Sequence, residues 1–558
     1  MPLVKKIFDY VIIGGGTAGA LLTNRLSEDG STVCLLEAGP SDINPLIHIP
    51  AGYIKNVYSK TLTWGFEAEA SEGTAGRRFS LPQGRVLGGS SSINGLNHNR
   101  GQSADFDHWA ALGNPGWSYN EVLPYFRRSE HKLGKADKRY RGLEGEMPIT
   151  DLDWHHPVSE AFIKGTQELG IPENPDYNGE RQDGAGYYQR CINNGFRISS
   201  ARAFLGTAKK RPGVDVRTNA HATAILFEGK RAAGVSYMKG GPSGQAQTVM
   251  ARREVIVSAG TVNTAKLLQI SGIGDTQLLD EIGVPTVHHL PGVGNNLRDH
   301  YGVRMVSRVK GIRTINNMAQ GPRLLLEIGR WLLRKPSLLA VSPSLAHVFW
   351  KSDEAMDKPD LQFVFSPASF REGVVGLLDK KPGMTTGVWQ ERPESTGYVR
   401  ARSANPFETP IVQPNYLAHE KDQQVLLAGM RLARRLMQTS ALAPYFDHET
   451  APGENVQTDE ELLEFARMNG TTVYHLIGTA RMGPESDPDA VVDAQLRVHG
   501  LEGLRVVDAS IMPTMPSANT NAATMMIAEK AADMIRGLPP LMPAETITKT
   551  EETETSDC

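Results

Sequence analysis

Phe8-Asp9-Tyr10-Val11-Ile12-Ile13 runs directly into Gly14-Gly15-Gly16-Thr17-Ala18-Gly19 and then into Ala20-Leu21-Leu22-Thr23-Asn24-Arg25-Leu26. The first block is β-branched and aromatic and reads as a buried strand. The second satisfies G-x-G-x-x-G, with Thr17 and Ala18 expected among the cofactor-binding residues, and the third reads as a helix. Ser31-Thr32-Val33-Cys34-Leu35-Leu36 then reads as a second strand, ending at Glu37. These are the parts of a dinucleotide-binding βαβ unit, in order. Gly14 permits the tight turn, Gly16 the approach of a pyrophosphate to the backbone, and Gly19 close packing of helix on strand. The free N–H groups and positive end of the helix face the pyrophosphate. Glu37 stands where a carboxylate accepts from ribose hydroxyls, which argues against a 2′-phosphate. The unit alone does not separate FAD from NAD.

Working outward, Gly84-Arg85-Val86-Leu87-Gly88-Gly89-Ser90-Ser91-Ser92-Ile93-Asn94 is a second glycine-rich run, with three hydroxyls to donate to a phosphate or a flavin edge. A third, Ser271-Gly272-Ile273-Gly274, follows the strand Glu254–Val257 and the turn Ser258-Ala259-Gly260. A fourth spans Pro291 to His300.

Taken together, these runs resemble the glucose–methanol–choline (GMC) oxidoreductases, which are FAD enzymes, from about Phe8 to Arg536. Gly84 to Asn94, continuing to Arg100-Gly101, is similar to the first family signature, and Ala259 to Gly274 to the second. Thr264-Ala265 replaces the usual Ser-Pro, and Asp275 replaces the usual Pro. His475-Leu476-Ile477-Gly478-Thr479, Val507 to Pro513 and Ala518 to Thr524 also fit. The resemblance implies that Gly84, Arg85, Gly89, Ser90, Ser91, Asn94 and Gly95 surround the pyrophosphate or flavin. It places Ala222 near adenine through its backbone, Asp508 and Ala509 at the cofactor's central portion, and Asn521 and Thr524 on the far side of the flavin. Some members attach FAD through a histidine just before the signature asparagine. Ile93 stands there in this chain, so noncovalent FAD is expected.

Oxidising an alcohol needs a hydride acceptor, which flavin supplies, and a base with a pKa near working pH, for which histidine is suited. His475 and Asn519 match the family's active-site pair. His475 is expected to take the hydroxyl proton, and Asn519 to orient the alcohol oxygen. His98, His300 and His499 read as structural or cofactor-proximal. The implied activity is oxidation of a primary alcohol with an apolar, aromatic, polyether or choline-like body, with oxygen or a quinone- or dye-type acceptor downstream. Hydroxynitrile lyase and fatty-acid photodecarboxylase are alternatives on the same scaffold. The His475–Asn519 pair disfavours the photodecarboxylase.

The expected fold class is α/β with an α+β second domain. Residues 1–155, 208–300 and 455–538 carry the motifs and are expected to build a discontinuous Rossmann-like FAD domain. Residues 156–207 and 301–454 are expected to build a substrate domain, a sheet backed by helices. Met318 to Trp350 reads mostly as helix core, with the remainder able to line an apolar entrance. Residues 541–558 are polar and acidic and read as a disordered tail. A net charge of −3 gives no case for nucleic acid or for an anionic membrane. Three scattered cysteines indicate neither a disulfide framework nor a metal site. With no signal peptide and no run long enough for a transmembrane helix, a soluble cytoplasmic enzyme is the expectation, and its oligomeric state stays open.

Overall fold

The computed structural model of the chain describes residues 6–371 and 377–544. β1 (Lys6–Ile13), α1 (Thr17–Leu26) and β2 (Val33–Leu36) form where the glycine pattern sets them. β1 and β2 are parallel, in register from Tyr10 opposite Val33 to Ile13 opposite Leu36. Neither run alternates polar and apolar residues, because a parallel sheet is covered on both faces. The strand order is Val214–Arg217, β2, β1, Gln245–Val257, Arg231–Lys239, Ala220–Glu228. Gln245–Val257 changes neighbour along its length. Its first half pairs with the antiparallel strand Arg231–Lys239, and Val255–Val257 pairs in parallel with Leu504–Val506.

That last pairing brings the C-terminal part of the chain back to β1. The helix Thr520–Arg536 then packs on α1. The two helices share an ionic cluster: Glu529, fully buried, accepts from Arg25 at 2.8 Å and from Arg128 at 2.6 Å, and Arg128 also pairs with Asp533 at 2.8 Å. A buried carboxylate is tolerable only when paired in this way.

The second sheet is antiparallel, in the order Phe446–Ala451, Tyr301–Val309, Gly383–Gln390, Leu361–Ser366, Ala346–Trp350, Gly184–Tyr187. Its two faces separate with period 2. Val303, Met305, Val388, Phe363 and Phe365 point into a core closed by the helices Pro157–Glu168 and Glu420–Met437. Phe162 stacks on Phe365 with ring centroids 4.1 Å apart. Gly429 lets the second helix lie close, since a Cβ there would meet Val388 Cγ2 at 2.7 Å. Residues of opposite parity, among them Arg304, Gly387 and Trp389, face a cavity between the two sheets.

Some segments pack differently from their expected positions. Phe204 and Leu205 join the first core, while Leu462 and Ala466 join the second. Thr471–Thr472 pairs with the second sheet at Tyr301–Gly302. These residues lie close to motif-bearing segments in sequence, but their apolar side chains are satisfied by the other half. The expected tail begins later than 541. Leu541 packs on the first core and its N–H donates to Tyr125 Oη at 3.1 Å, while residues 545–558 lie outside the described residues. Met318 to Trp350 does contain a helix, Gly321–Leu332, but it is not helix core. Leu325, Leu326 and Leu332 are 69%, 63% and 68% exposed, and Glu327 is buried instead. Among the described residues no helix is long and apolar enough to cross a membrane, and no group of side chains could hold a metal ion.

Candidate functional site

Two glycine loops meet beyond the carboxyl ends of β1 and β2. Gly14 is left-handed, with φ of 101°. A Cβ at Gly19 would lie 1.9 Å from Gly14 O, so only glycine lets α1 close on the strand. Gly89 backs onto the first loop, where a Cβ would stand 2.8 Å from Gly16 Cα, and Gly88 N donates to Gly15 O at 2.7 Å. The two runs, far apart in sequence, thus form one cradle of backbone N–H groups.

The cradle is one wall of a cavity of about 400 Å³, a volume suited to small molecules. Gly14, Gly16, Thr17, Ala18 and Glu37 line it from the first βαβ unit. Gly84, Gly89, Ser90, Asn94 and Gly95 line it from the second loop, and Ala222 from the strand Ala220–Glu228. Asp508, Ala509, Asn521, Thr524, His475 and Asn519 come from the C-terminal segments. Three expected residues do not line it. Gly19 is consumed in helix–strand packing. Ser91 Oγ donates to Gly88 O at 2.6 Å and accepts from Ser200 N at 2.9 Å, so its hydroxyl is engaged within the protein. Arg85 turns away and lies over the Trp64 ring at 5.4 Å.

The acids in the cavity wall are already engaged by the protein. Glu37 accepts from Gly15 N at 2.8 Å and Gly39 N at 2.7 Å, and burial pushes it up to about 7. Asp508 accepts from Gly260 N, Thr264 Oγ1 and Ser510, which ties together three cofactor-side segments. Asn521 Oδ1 accepts from Thr17 Oγ1 at 2.8 Å, joining the N-termini of α1 and of Thr520–Arg536.

His475 stands between Asn519 and His300. Asn519 Nδ2 lies 2.9 Å from His475 Nε2, and His475 Nδ1 lies 2.8 Å from His300 Nδ1. His300 Nε2 is 2.7 Å from the Glu391 carbonyl. A carbonyl only accepts, so His300 Nε2 carries the hydrogen. Burial holds His300 at about 4 and therefore neutral, which leaves its Nδ1 with a lone pair. His475 Nδ1–H must donate to that lone pair, so His475 Nε2 holds its own lone pair beside the Asn519 amide. Burial, then the nearby His300, hold His475 well below the ordinary imidazole value. It is thus neutral at pH 7 and able to accept a proton at Nε2.

The backbone at this point is held firmly. Tyr474 is left-handed, with φ of 70°, a conformation costly for a bulky residue. Its N–H donates to Thr472 Oγ1 at 2.7 Å, and His475 N donates to Asp299 Oδ1 at 2.7 Å. Asp299 also accepts from Tyr416 and Thr472. The sequence reading took His300 as structural or cofactor-proximal and did not single out Asp299 or Tyr474. His300 and Asp299 fall in the run Pro291 to His300 that the sequence marked as unusual, but nothing there says that His300 meets a residue 175 positions away.

Five buried polar atoms on cavity-lining residues have no partner within the described protein: Asn97 Oδ1, Asn519 Oδ1, Ser258 Oγ, His221 Nδ1 and Trp389 Nε1. Buried polar groups are nearly always paired. These five, with the glycine cradle, fit a long polar cofactor spanning both sheets.

Fold and site define a dinucleotide-cofactor oxidoreductase with a second, antiparallel sheet facing the same cavity. The sequence profile of the GMC oxidoreductases matches residues 8–302 and 393–528, and the chain belongs to that FAD-dependent family. It is 40% identical to an "Alcohol dehydrogenase [acceptor]" of Pseudomonas putida, over 95% of this chain and 96% of that protein. It is also 40% identical to the mitochondrial choline dehydrogenase of Homo sapiens, over 96% and 90%. Among solved structures, pyridoxine 4-oxidase from Mesorbium loti superposes with a TM-score of 0.86 at 28% identity, covering 95% of this chain and all of that one. An FAD-dependent oxidoreductase from Chaetomium thermophilum gives 0.86 at 27%, covering 95% and 99%.

Proposed function

We propose that the protein oxidises a primary alcohol to an aldehyde, with FAD as the immediate electron acceptor and His475 as the base. The observation that carries this reading is the His300–His475–Asn519 array, which fixes a lone pair on His475 Nε2 at the cavity wall. FAD, when bound, supplies the hydride-accepting centre. The backbone of the two glycine loops, Glu37, Ala222, Asp508, Asn521 and Thr524 would hold it. Ile93 is apolar and lines the cavity where some family members carry a linking histidine, so the cofactor is held without a covalent bond. His475 Nε2 takes the hydroxyl proton. The Asn519 amide orients the alcohol oxygen and stabilises the charge that develops on it. Relatives named as alcohol and choline dehydrogenases support this class. Lyase and photodecarboxylase activity find no support among them.

Charge in the cavity bears on the substrate. Arg304 lines the wall on the second sheet, opposite Gly387. Among the described residues the only lining carboxylates are Glu37 and Asp508, both at the cofactor side. A cation with no facing carboxylate opposes a quaternary ammonium and suits an uncharged alcohol body. The test is anaerobic titration of the yellow holoenzyme with aliphatic and benzylic primary alcohols and with choline. Bleaching by the neutral alcohols with a weak response to choline is expected, and Arg304→Glu should improve the response to choline. Bleaching by choline alone would overturn the substrate assignment. Yellow flavin should also pass into the supernatant when the protein is acid-precipitated, and flavin retained in the pellet would contradict noncovalent binding.

A further inference from the structure

The helix Gly321–Leu332 is inside out. Leu325, Leu326, Leu332 and Leu333 are 69%, 63%, 68% and 70% exposed. They pair at spacings of seven residues and so form one outward stripe. The inward side is polar and fixed. Glu327 is buried, accepts from Leu338 N at 2.8 Å and pairs with Arg330 at 3.2 Å. Ser337 Oγ donates to the Glu327 carbonyl at 2.8 Å, and Trp331 Nε1 donates to Gly195 O at 2.8 Å. These bonds prevent the helix from rolling to hide its leucines. Four large apolar side chains held outward on three turns form a contact surface, not scattered exposure.

We infer that this helix seats the protein on the surface of an anionic lipid bilayer. The charged side chains exposed beside the stripe are Arg323, Arg330, Arg334 and Lys335, all basic, on a protein whose net charge is −3. The single acid of the segment, Glu327, points inward. An apolar stripe edged by arginine and lysine is the pattern of a helix lying in a headgroup interface. A second copy of the same patch would bring these basic residues face to face in a two-fold contact, which disfavours self-association through it. At 12 residues the helix can lie in the interface and cannot span a bilayer. From the helix the chain runs through Leu338–Ala340, which packs on Pro50–Gly52, to Pro343 and Ser344 in the cavity wall. The seat therefore lies on the element that leads to the site.

The test is co-flotation of the full-length holoenzyme with vesicles of phosphatidylcholine alone or mixed with phosphatidylglycerol. Binding to the mixed vesicles that weakens as salt is raised is expected. Leu325→Gln/Leu326→Gln/Leu332→Gln/Leu333→Gln should bind at least about tenfold more weakly. Arg323→Gln/Arg334→Gln/Lys335→Gln should lose the preference for phosphatidylglycerol. Both variants should keep the wild-type rate with a soluble dye acceptor, which shows that they fold. Failure of the wild type to float overturns the inference, as does equal flotation of the leucine variant. So does a wild-type dimer in solution that the leucine variant abolishes.

Discussion

The proposed role of His475 as a base rests on the residues around it, which decide which nitrogen bears the proton. His475→Ala should retain FAD and slow anaerobic flavin reduction by at least about a hundredfold, the scale of a lost general base. Unchanged reduction in stopped flow would contradict the assignment. On the same proposal His300, which touches His475, is a positioning residue. His300→Ala should slow reduction by about tenfold or more. It should also move the acid limb of the pH profile to higher pH, because the space it leaves would admit water and relieve the burial that depresses His475. A purely structural role for His300 would lower stability without moving that limb. In the wild type, His475 is held well below the ordinary 6.5. It is therefore deprotonated from neutrality upward, and the rate should be flat there and fall only in acid.

At the scale of elements, the βαβ start was legible because its spacing is dictated by steric contacts. The 1.9 Å clash that any Cβ would make at Gly19 is what the sequence pattern encodes. Much of the cavity lining followed from the family motifs. Ser91 and Arg85 do not line the cavity, because a motif names a loop and not the direction of each side chain. The second sheet was harder to read, since its cavity face is set by strand register across distant segments, as with Arg304 opposite Gly387. Contacts between remote elements escape a linear reading altogether. Glu529, buried between Arg25 and Arg128, holds the C-terminal helix on α1. Glu529→Ala should cost roughly 1.5–3 kcal/mol, the scale of lost charged hydrogen bonds, since Arg25 keeps Glu146 and Arg128 keeps Asp533. Chemical denaturation would measure the loss, and a change under about 1 kcal/mol would place the pair with surface ion pairs.

On the scale of the whole molecule, several histidines are buried in neutral form. Burial holds His221 and His300 at about 4 and His347 at about 3, against an ordinary 6.5. Below pH 6.5 the unfolded chain takes up protons that the folded chain refuses. The stability these histidines contribute is therefore complete above about 6.5 and is lost as the pH falls towards 4, while Glu37 and Asp299, raised by burial to about 7 and about 6, act in the opposite sense. A melting series over that range should show a smaller loss of Tm towards acid in His347→Phe than in the wild type. Among the described residues neither ring nitrogen of His347 has a partner, and the ring sits against Tyr177 and Phe349. The cavity itself is lined by residues of both sheets, and the proposed function has cofactor and substrate meet there. The most direct test of that arrangement is anaerobic stopped-flow reduction of the holoenzyme by a neutral primary alcohol and by the same alcohol deuterated at the carbinol carbon. The account predicts bleaching of the flavin, a clear primary isotope effect, and loss of most of the rate in His475→Ala. A flavin that stays oxidised with every alcohol, or bleaches equally fast without His475, would contradict it.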